Sequence, residues 1–207
     1  MPTLIARRSL VVSAFALSST GISAKTPKST PIRPWLQMKT SLGDLIIEVD
    51  PERAPLSSAS FLSYVDKQLF DGAEFDRVVH PENDANPAKI SVIQGGVADQ
   101  SKMLAPIPHE PTAKTGIRHL DGTISIARIA PGSGSGGSFF ICIGEQPELD
   151  FGGRRNPDGQ GFAAFGAVMK GMDVIRAIWA QPTAGTDGSI ESQLLASPVG
   201  IVSVRRA

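Results

Sequence analysis

Two N-terminal segments, Leu36 to Ser41 and Asp44 to Val49, are followed by six further runs of β-branched and aromatic residues bounded by Gly or Pro: Glu74 to Val79, Lys89 to Gln94, Thr123 to Arg128, Ser138 to Ile143, Ala163 to Met169 and Pro198 to Val204. The first pair reads as a hairpin about Leu42-Gly43, because Leu45, Ile47 and Val49 alternate with more polar neighbours. Only two segments carry a helical period. Ala54-Pro55 opens one in which Phe61, Val65 and Leu69 recur along one face, and Val174, Ile175, Ile178 and Trp179 mark another from Met172 to Trp179. Eight short strands and two short helices fit an all-β, closed barrel with its open ends capped, which leaves no exposed sheet edge. The 21 glycines and 16 prolines suit many turns, and 41% apolar residues in a chain of 207 suffice for one core.

Met1 to Ala24 reads as an export signal. Arg7 and Arg8 supply its positive region, Leu10 to Leu17 an apolar stretch too short to span a bilayer, and Ile22-Ser23-Ala24 a small-residue cleavage site. The paired arginines suit the twin-arginine route and the general secretory route alike. Lys25 to Pro34 reads as an extended, mobile linker, and the folded domain as 35–207. The expected destination is the periplasm if the source has an outer membrane, and secretion otherwise. The formal charge is zero, and loss of the two leader arginines leaves 18 basic against 20 acidic residues, so no basic field for nucleic acid is present. Cys142 is the only cysteine and lies in an apolar run, which excludes an intramolecular disulfide and predicts a buried structural thiol.

Phe75-Asp76-Arg77-Val78-Val79, Ile93-Gln94-Gly95-Gly96 and Ser138-Phe139-Phe140-Ile141 place one arginine, one glutamine and several apolar side chains on separate strands, with no evident nucleophile or metal ligand beside them. That set suits a reaction that makes and breaks no covalent bond. Alternation on a strand puts Arg77 on one face with Phe75 and Val79. By spacing alone Arg77 is equally a surface ion-pair partner, Gln94 a buried amide satisfied by backbone, and Phe140 and Leu149 core residues. Gly132, Gly134 and Gly137 match a G-x-G-x-x-G pattern but precede a strand rather than a helix, so a flexible turn is expected there. His80, His109 and His119 lack metal-site spacing, and each is expected in a polar surface loop.

In order along the chain, MKTSLGDLIIEV, AP, FDRVV, IQGG, GTISIAR, SFFI, LD and FGAVMKGM resemble the cyclophilin-type peptidyl-prolyl isomerases from Gln37 to Val204. The resemblance implies an eight-stranded antiparallel barrel with two helices, a peptide groove on one barrel face and no cofactor. It implies catalysis by Arg77, with Gln94 holding the arginine or binding the substrate backbone. Phe140 and Leu149 match residues of the proline pocket, and Ala127 matches a small groove residue.

The chain departs from the family pattern at several matched positions. Ser91 stands where a pocket phenylalanine is usual, Val92 for methionine, Arg128 for asparagine, Ser138 for glutamine, Glu148 for a tryptophan found in many members, and Phe162 for histidine. These residues, with Phe75, complete the expected substrate-binding set, and Phe162 is placed to refill volume lost at Ser91. The resulting expectation is an isomerase acting on Xaa-Pro bonds during folding of exported proteins; the alternative is a barrel that holds proline-containing segments as a chaperone or assembly module with little turnover. Expected partners are proline-containing polypeptides, with neither nucleic acid nor stable membrane association once the leader is removed. The protein is expected to act as a monomer.

Overall fold

The computed structural model describes residues 33–184 and 191–207, so the leader and the linker up to residue 32 lie outside the described residues. Among the described residues, strands β1 (Trp35–Thr40), β2 (Gly43–Val49), β3 (Ala73–Val79) and β4 (Val92–Gly96) are followed by β5 (Thr123–Ile126), β6 (Ser138–Cys142), β7 (Ala163–Lys170) and β8 (Leu194–Arg206). They close into a barrel in the order β1-β2-β7-β5-β6-β4-β3-β8, every pair antiparallel. The expected all-β closed barrel is therefore the observed one. Arg33 and Pro34, which the sequence assigns to the linker, are already tied to it: Arg33 pairs with Glu48 at 3.1 Å and Asp50 at 3.2 Å, and the Pro34 carbonyl accepts the Val49 N–H at 3.0 Å.

Helices α1 (Pro55–Asp66) and α3 (Met172–Trp179) pack on the barrel, and a single turn, α2 (Thr112–Thr115), is too short to announce itself by periodicity. Leu69 lies beyond α1 because Gln68 takes φ 57°, outside the helical region, although Leu69 still packs against the core. Phe61 reaches from α1 into the barrel, its ring centroid 5.5 Å from Phe139 and 5.1 Å from Phe165. The glycine run between β5 and β6 is a packing contact rather than a loose turn: a Cβ on Gly136 would sit 2.4 Å from the Phe61 backbone. Among the described residues no helix is long and apolar enough to cross a membrane.

One irregularity sets the position of the site. Along β3 against β4, Phe75 pairs with Gly95 but Arg77 with Gln94, so Asp76 is an extra residue in a β-bulge. On the other side the register jumps from Phe75 opposite Val199 to Arg77 opposite Leu194, which lets β8 run through Pro198 where the ladder is interrupted. The alternation reverses across the bulge. Phe75 and Val78 are wholly buried in the barrel core, whereas Val79 joins a separate apolar cluster with Val92, Phe140, Cys142 and Leu149. The expectation that Phe75 and Arg77 share a face is thus corrected. Phe75 is a wholly buried core residue, 5.7 Å from Phe139 between ring centroids, and does not line the cavity that Arg77 lines.

Candidate active site

The bulge turns Arg77 outward into a cavity of about 570 Å³ on the face of β3, β4 and β6. Val92, Gln94 and Ser138 line it from β4 and β6, with Phe140 and Leu149 at its apolar floor. Ala127, Arg128 and Phe162 close the other side. Nine of the twelve site residues expected from sequence therefore meet at one cavity, Arg77 included.

Arg77 is held by amide oxygens. Its Nη1 donates to Gln94 Oε1 at 2.8 Å and its Nε to Gln193 Oε1 at 3.0 Å, while Nη2 donates to the same Gln193 oxygen. Gln193 is buried and is itself fixed by donation from Nε2 to the Asn83 carbonyl at 2.9 Å. These three bonds leave part of the five-hydrogen fork of the guanidinium for another acceptor. Burial, and then the charge of Arg155, lower the Arg77 pKa from its ordinary value. An arginine so placed still carries its charge at physiological pH.

Three expected residues are elsewhere. Phe75 is inside the barrel. Ser91 precedes β4, its N–H donating to Gln146 Oε1 at 3.0 Å, and strand alternation gives the cavity wall to Ile90 and Val92 instead. Glu148 does not line the cavity; its carboxylate accepts from the Arg154 N–H at 2.8 Å and pairs with the Arg154 guanidinium, which holds its pKa below the ordinary range. Phe162 lines the pocket, its ring T-shaped to Phe140 with centroids 5.2 Å apart and the Arg128 guanidinium 5.2 Å from its centroid. Arg128 is pinned by Asp158 at 2.8 Å and by the Gly161 carbonyl, so it forms a wall rather than a mobile charge.

Sequence reasoning missed Ile90, Met103, Arg155 and Asn156 in the lining, and Gln193 behind Arg77. Ile90 was recoverable from the two-residue step Ile90, Val92, Gln94. Gln193 is 116 positions from Arg77 and carries no local signal.

His119 is also corrected. It is not a surface residue but 1% exposed, with Nδ1 2.7 Å from Asp150 Oδ1 and Nε2 3.0 Å from Ser125 Oγ. Its ring stacks on Phe140, centroids 5.8 Å apart at 17°. His119 therefore backs the apolar floor, and Asp150, next to Leu149, receives both its ring and backbone N–H groups. The bond order is that of a Ser-His-Asp triad, yet Ser125 is wholly buried beneath Phe140 and is not offered to a substrate. The thiol of Cys142 is buried in the same cluster, and burial pushes its pKa well up, leaving it inert. His80 stacks on Trp179 at 4.1 Å, and His109 Nε2 lies 3.1 Å from the Gln160 carbonyl; both are half-buried.

Comparison with known proteins decides the family. The model of the cyclophilin type peptidyl-prolyl cis-trans isomerase family matches residues 35–205. The chain belongs to that family. A peptidyl-prolyl cis-trans isomerase of Acinetobacter baylyi is 32% identical over 95% of this chain and 90% of its own length, and peptidyl-prolyl cis-trans isomerase A of Dickeya dadantii is 31% identical over 82% and 83%. Among solved structures, a Cryptosporidium parvum cyclophilin type isomerase superposes with a TM-score of 0.66 at 16% identity, covering 85% of this chain and 98% of its own. A second structure of it was determined in the presence of the dipeptide Ala-Pro. The activity of this cyclophilin is accordingly peptidyl-prolyl cis-trans isomerisation.

The buried histidine makes the pocket floor acid-sensitive. Burial lowers the His119 pKa below its ordinary value of 6.5, against the opposing effect of Asp150. An unfolded chain then takes up this proton first, so the stabilisation is complete above about pH 6.5 and declines as pH falls below it. Burial raises the Asp150 pKa, but hydrogen bonds from His119 outweigh it, and the net lowering contributes stability lost only at still lower pH, below the ordinary 3.8. The melting temperature is expected to fall between about pH 7.5 and pH 5. His80, also lowered by burial, titrates in the same window. The fall should therefore be shallower, not absent, in His119→Gln; identical profiles in differential scanning calorimetry would remove His119 from this role.

Proposed function

We propose that Arg77 is the catalytic residue, acting on Xaa-Pro bonds of polypeptides laid across the cavity with proline seated on Phe140 and Leu149. The rotational barrier is about 18–20 kcal/mol because the amide nitrogen lone pair is delocalised into the carbonyl. Twisting the bond localises that pair on the nitrogen, and a guanidinium N–H donated toward it is stronger in the twisted state than in either planar isomer. No proton is transferred, and the charge stays available at every ordinary pH. The observation that carries this reading is the holding of Arg77 by Gln94 and Gln193, with no carboxylate among its hydrogen-bond partners within the described residues. A proline ring needs an apolar seat because it offers no backbone N–H, and Phe140, Leu149, Val92 and Phe162 supply one. The Ala-Pro dipeptide used with the Cryptosporidium relative is consistent with this seat.

The proposed setting is the folding of exported proteins, with Met1 to Ala24 removed as a signal, Lys25 to Ile32 as the spacer and a monomeric isomerase domain beyond it. Support comes from the order of Arg7-Arg8, the apolar stretch and Ile22-Ser23-Ala24.

In a protease-free NMR exchange assay on an Ala-Pro peptide, Arg77→Ala is expected to slow on-enzyme isomerisation by about 100-fold or more. Arg77→Lys is expected to be impaired about tenfold or more, since an ammonium cannot span both glutamines and the substrate. Normal exchange by folded Arg77→Ala would refute the assignment, and peptide binding by the wild type without exchange would favour a holding module.

A reporter fused after Lys25 should leave the cytoplasm and be cut close to Ala24. Replacing Arg7 and Arg8 by lysines distinguishes the routes: retention indicates twin-arginine export, and unaffected export the general pathway. A reporter retained uncut with the native leader would contradict the signal assignment.

A further inference from the structure

Two arginines of the proline cavity's wall, Arg128 and Arg155, have carboxylate partners, Asp158 and Asp84, that do not line it. Arg155 and Asn156, on the loop between Leu149 and β7, both line the cavity. The backbone of Arg155 is fixed, with its N–H donating to the Glu148 carbonyl at 3.1 Å and its carbonyl accepting from Asn86 Nδ2 at 3.2 Å. On its side chain only Nη1 is engaged, by Asp84 Oδ2 at 2.5 Å and the Ala88 carbonyl at 3.1 Å. The Asp84 side chain is 2% exposed and does not line the cavity, so the positive end of this pair faces the groove. Nε and Nη2 make no hydrogen bond within the described residues. Beside them Asn156 Nδ2 is buried without any partner, a state that costs about 1–3 kcal/mol until an acceptor arrives.

Arg77 adds a charge with no carboxylate hydrogen-bonded to it, whereas the groups on Arg128 are spent on Asp158 and Gly161. Among the described residues no carboxylate lines this cavity. Glu74 and Asp76 line a second cavity of about 450 Å³ that shares Gln94, Met103 and Ser138 with the first. Charge is therefore divided along the groove, positive beside the proline seat and negative past Gln94.

We propose that Arg155 and Asn156 form a subsite for an acidic side chain flanking the proline, so that this isomerase prefers segments with Asp or Glu next to proline over segments with Lys or Arg there. The proposal rests on the reading that the cavity takes proline peptides. A carboxylate can accept from Arg155 Nε or Nη2 and from Asn156 Nδ2 together, which satisfies both unpartnered donors at once. A lysine in the same place would meet two guanidinium charges and, among the described residues, no carboxylate lining the cavity.

The test is kcat/KM for Ala-Xaa-Pro-Phe peptides with Xaa as Ala, Gln, Glu or Lys, and for a peptide with Glu after the proline, by NMR exchange at low and high salt. One Glu placement is expected to exceed Lys by about tenfold or more at low salt, with the ratio shrinking at about 0.5 M salt as screening predicts. The ratio is then read within variants, so that any general loss of activity cancels. Asp84→Asn/Arg155→Gln removes the guanidinium without leaving a buried carboxylate unpaired, and is expected to bring the Glu-to-Lys ratio close to one; Asn156→Ala should lower it partway. Equal turnover of Ala, Glu and Lys peptides, or a ratio unchanged in the double variant, overturns the subsite alone. Failure of the wild type on every peptide, Ala included, overturns the isomerase reading of the cavity and this inference with it.

Discussion

A guanidinium fixed by amide oxygens keeps its full charge directed at whatever lies in front of it, and the candidate site depends on this arrangement. Gln94 and Gln193 orient Arg77 as a carboxylate would, but they do not neutralise it. The arrangement requires Arg77 to leave the barrel wall on the outer face, and Asp76 makes that so by taking the extra place in β3. Strict alternation would put Phe75 and Arg77 on the same side, and either a phenyl ring would be lost from the core or a charge would enter it. The core contains Phe75 in contact with Phe139, and breaking the alternation once serves both residues.

Behind the groove, the pocket floor is supported from two directions. Phe162 braces Phe140 from the edge, and His119 lies parallel beneath it. His119 is itself held by Asp150, which follows Leu149 directly, so the two apolar residues proposed to seat proline are linked through one hydrogen-bonded pair. Ile90 and Phe162 line the cavity and Ser91 does not, because that part of the wall is built from alternate residues of the chain entering β4. Glu148, where many relatives have tryptophan, is engaged with Arg154 outside the cavity.

The barrel was legible because its signals are local. Alternating apolar residues, Gly and Pro boundaries and two four-residue periods are each contained within about ten residues, and each corresponds to an observed strand or helix. The errors arose where the local rule was interrupted. Phe75 was misplaced because a bulge leaves no mark in composition, and Leu69 because Gln68 ends the helix at a residue that rarely adopts positive φ. His119 does lie in a loop, and only its expected exposure, read from polar neighbours, is overturned. Its burial is created by Ser125 and Asp150, which approach from other elements. Gln193 had no local signature at all, since its role exists only once β8 is laid beside β3. The resemblance to cyclophilins supplied what spacing left open, the choice of Arg77 as a catalyst over a surface ion pair.

Gln193→Glu gives the most direct test, since it places a carboxylate against Arg77 with almost no change in shape and at a residue that does not line the cavity. The measurement is the on-enzyme cis/trans exchange rate at saturating Ala-Pro peptide, by NMR, with the amide spectrum of the variant used to establish that the barrel is intact. If an unneutralised Arg77 stabilises the twisted amide, exchange should fall by about tenfold or more, equivalent to about 1.4 kcal/mol of barrier, with much less effect on peptide affinity. Exchange at the wild-type rate in a folded Gln193→Glu protein would contradict the account.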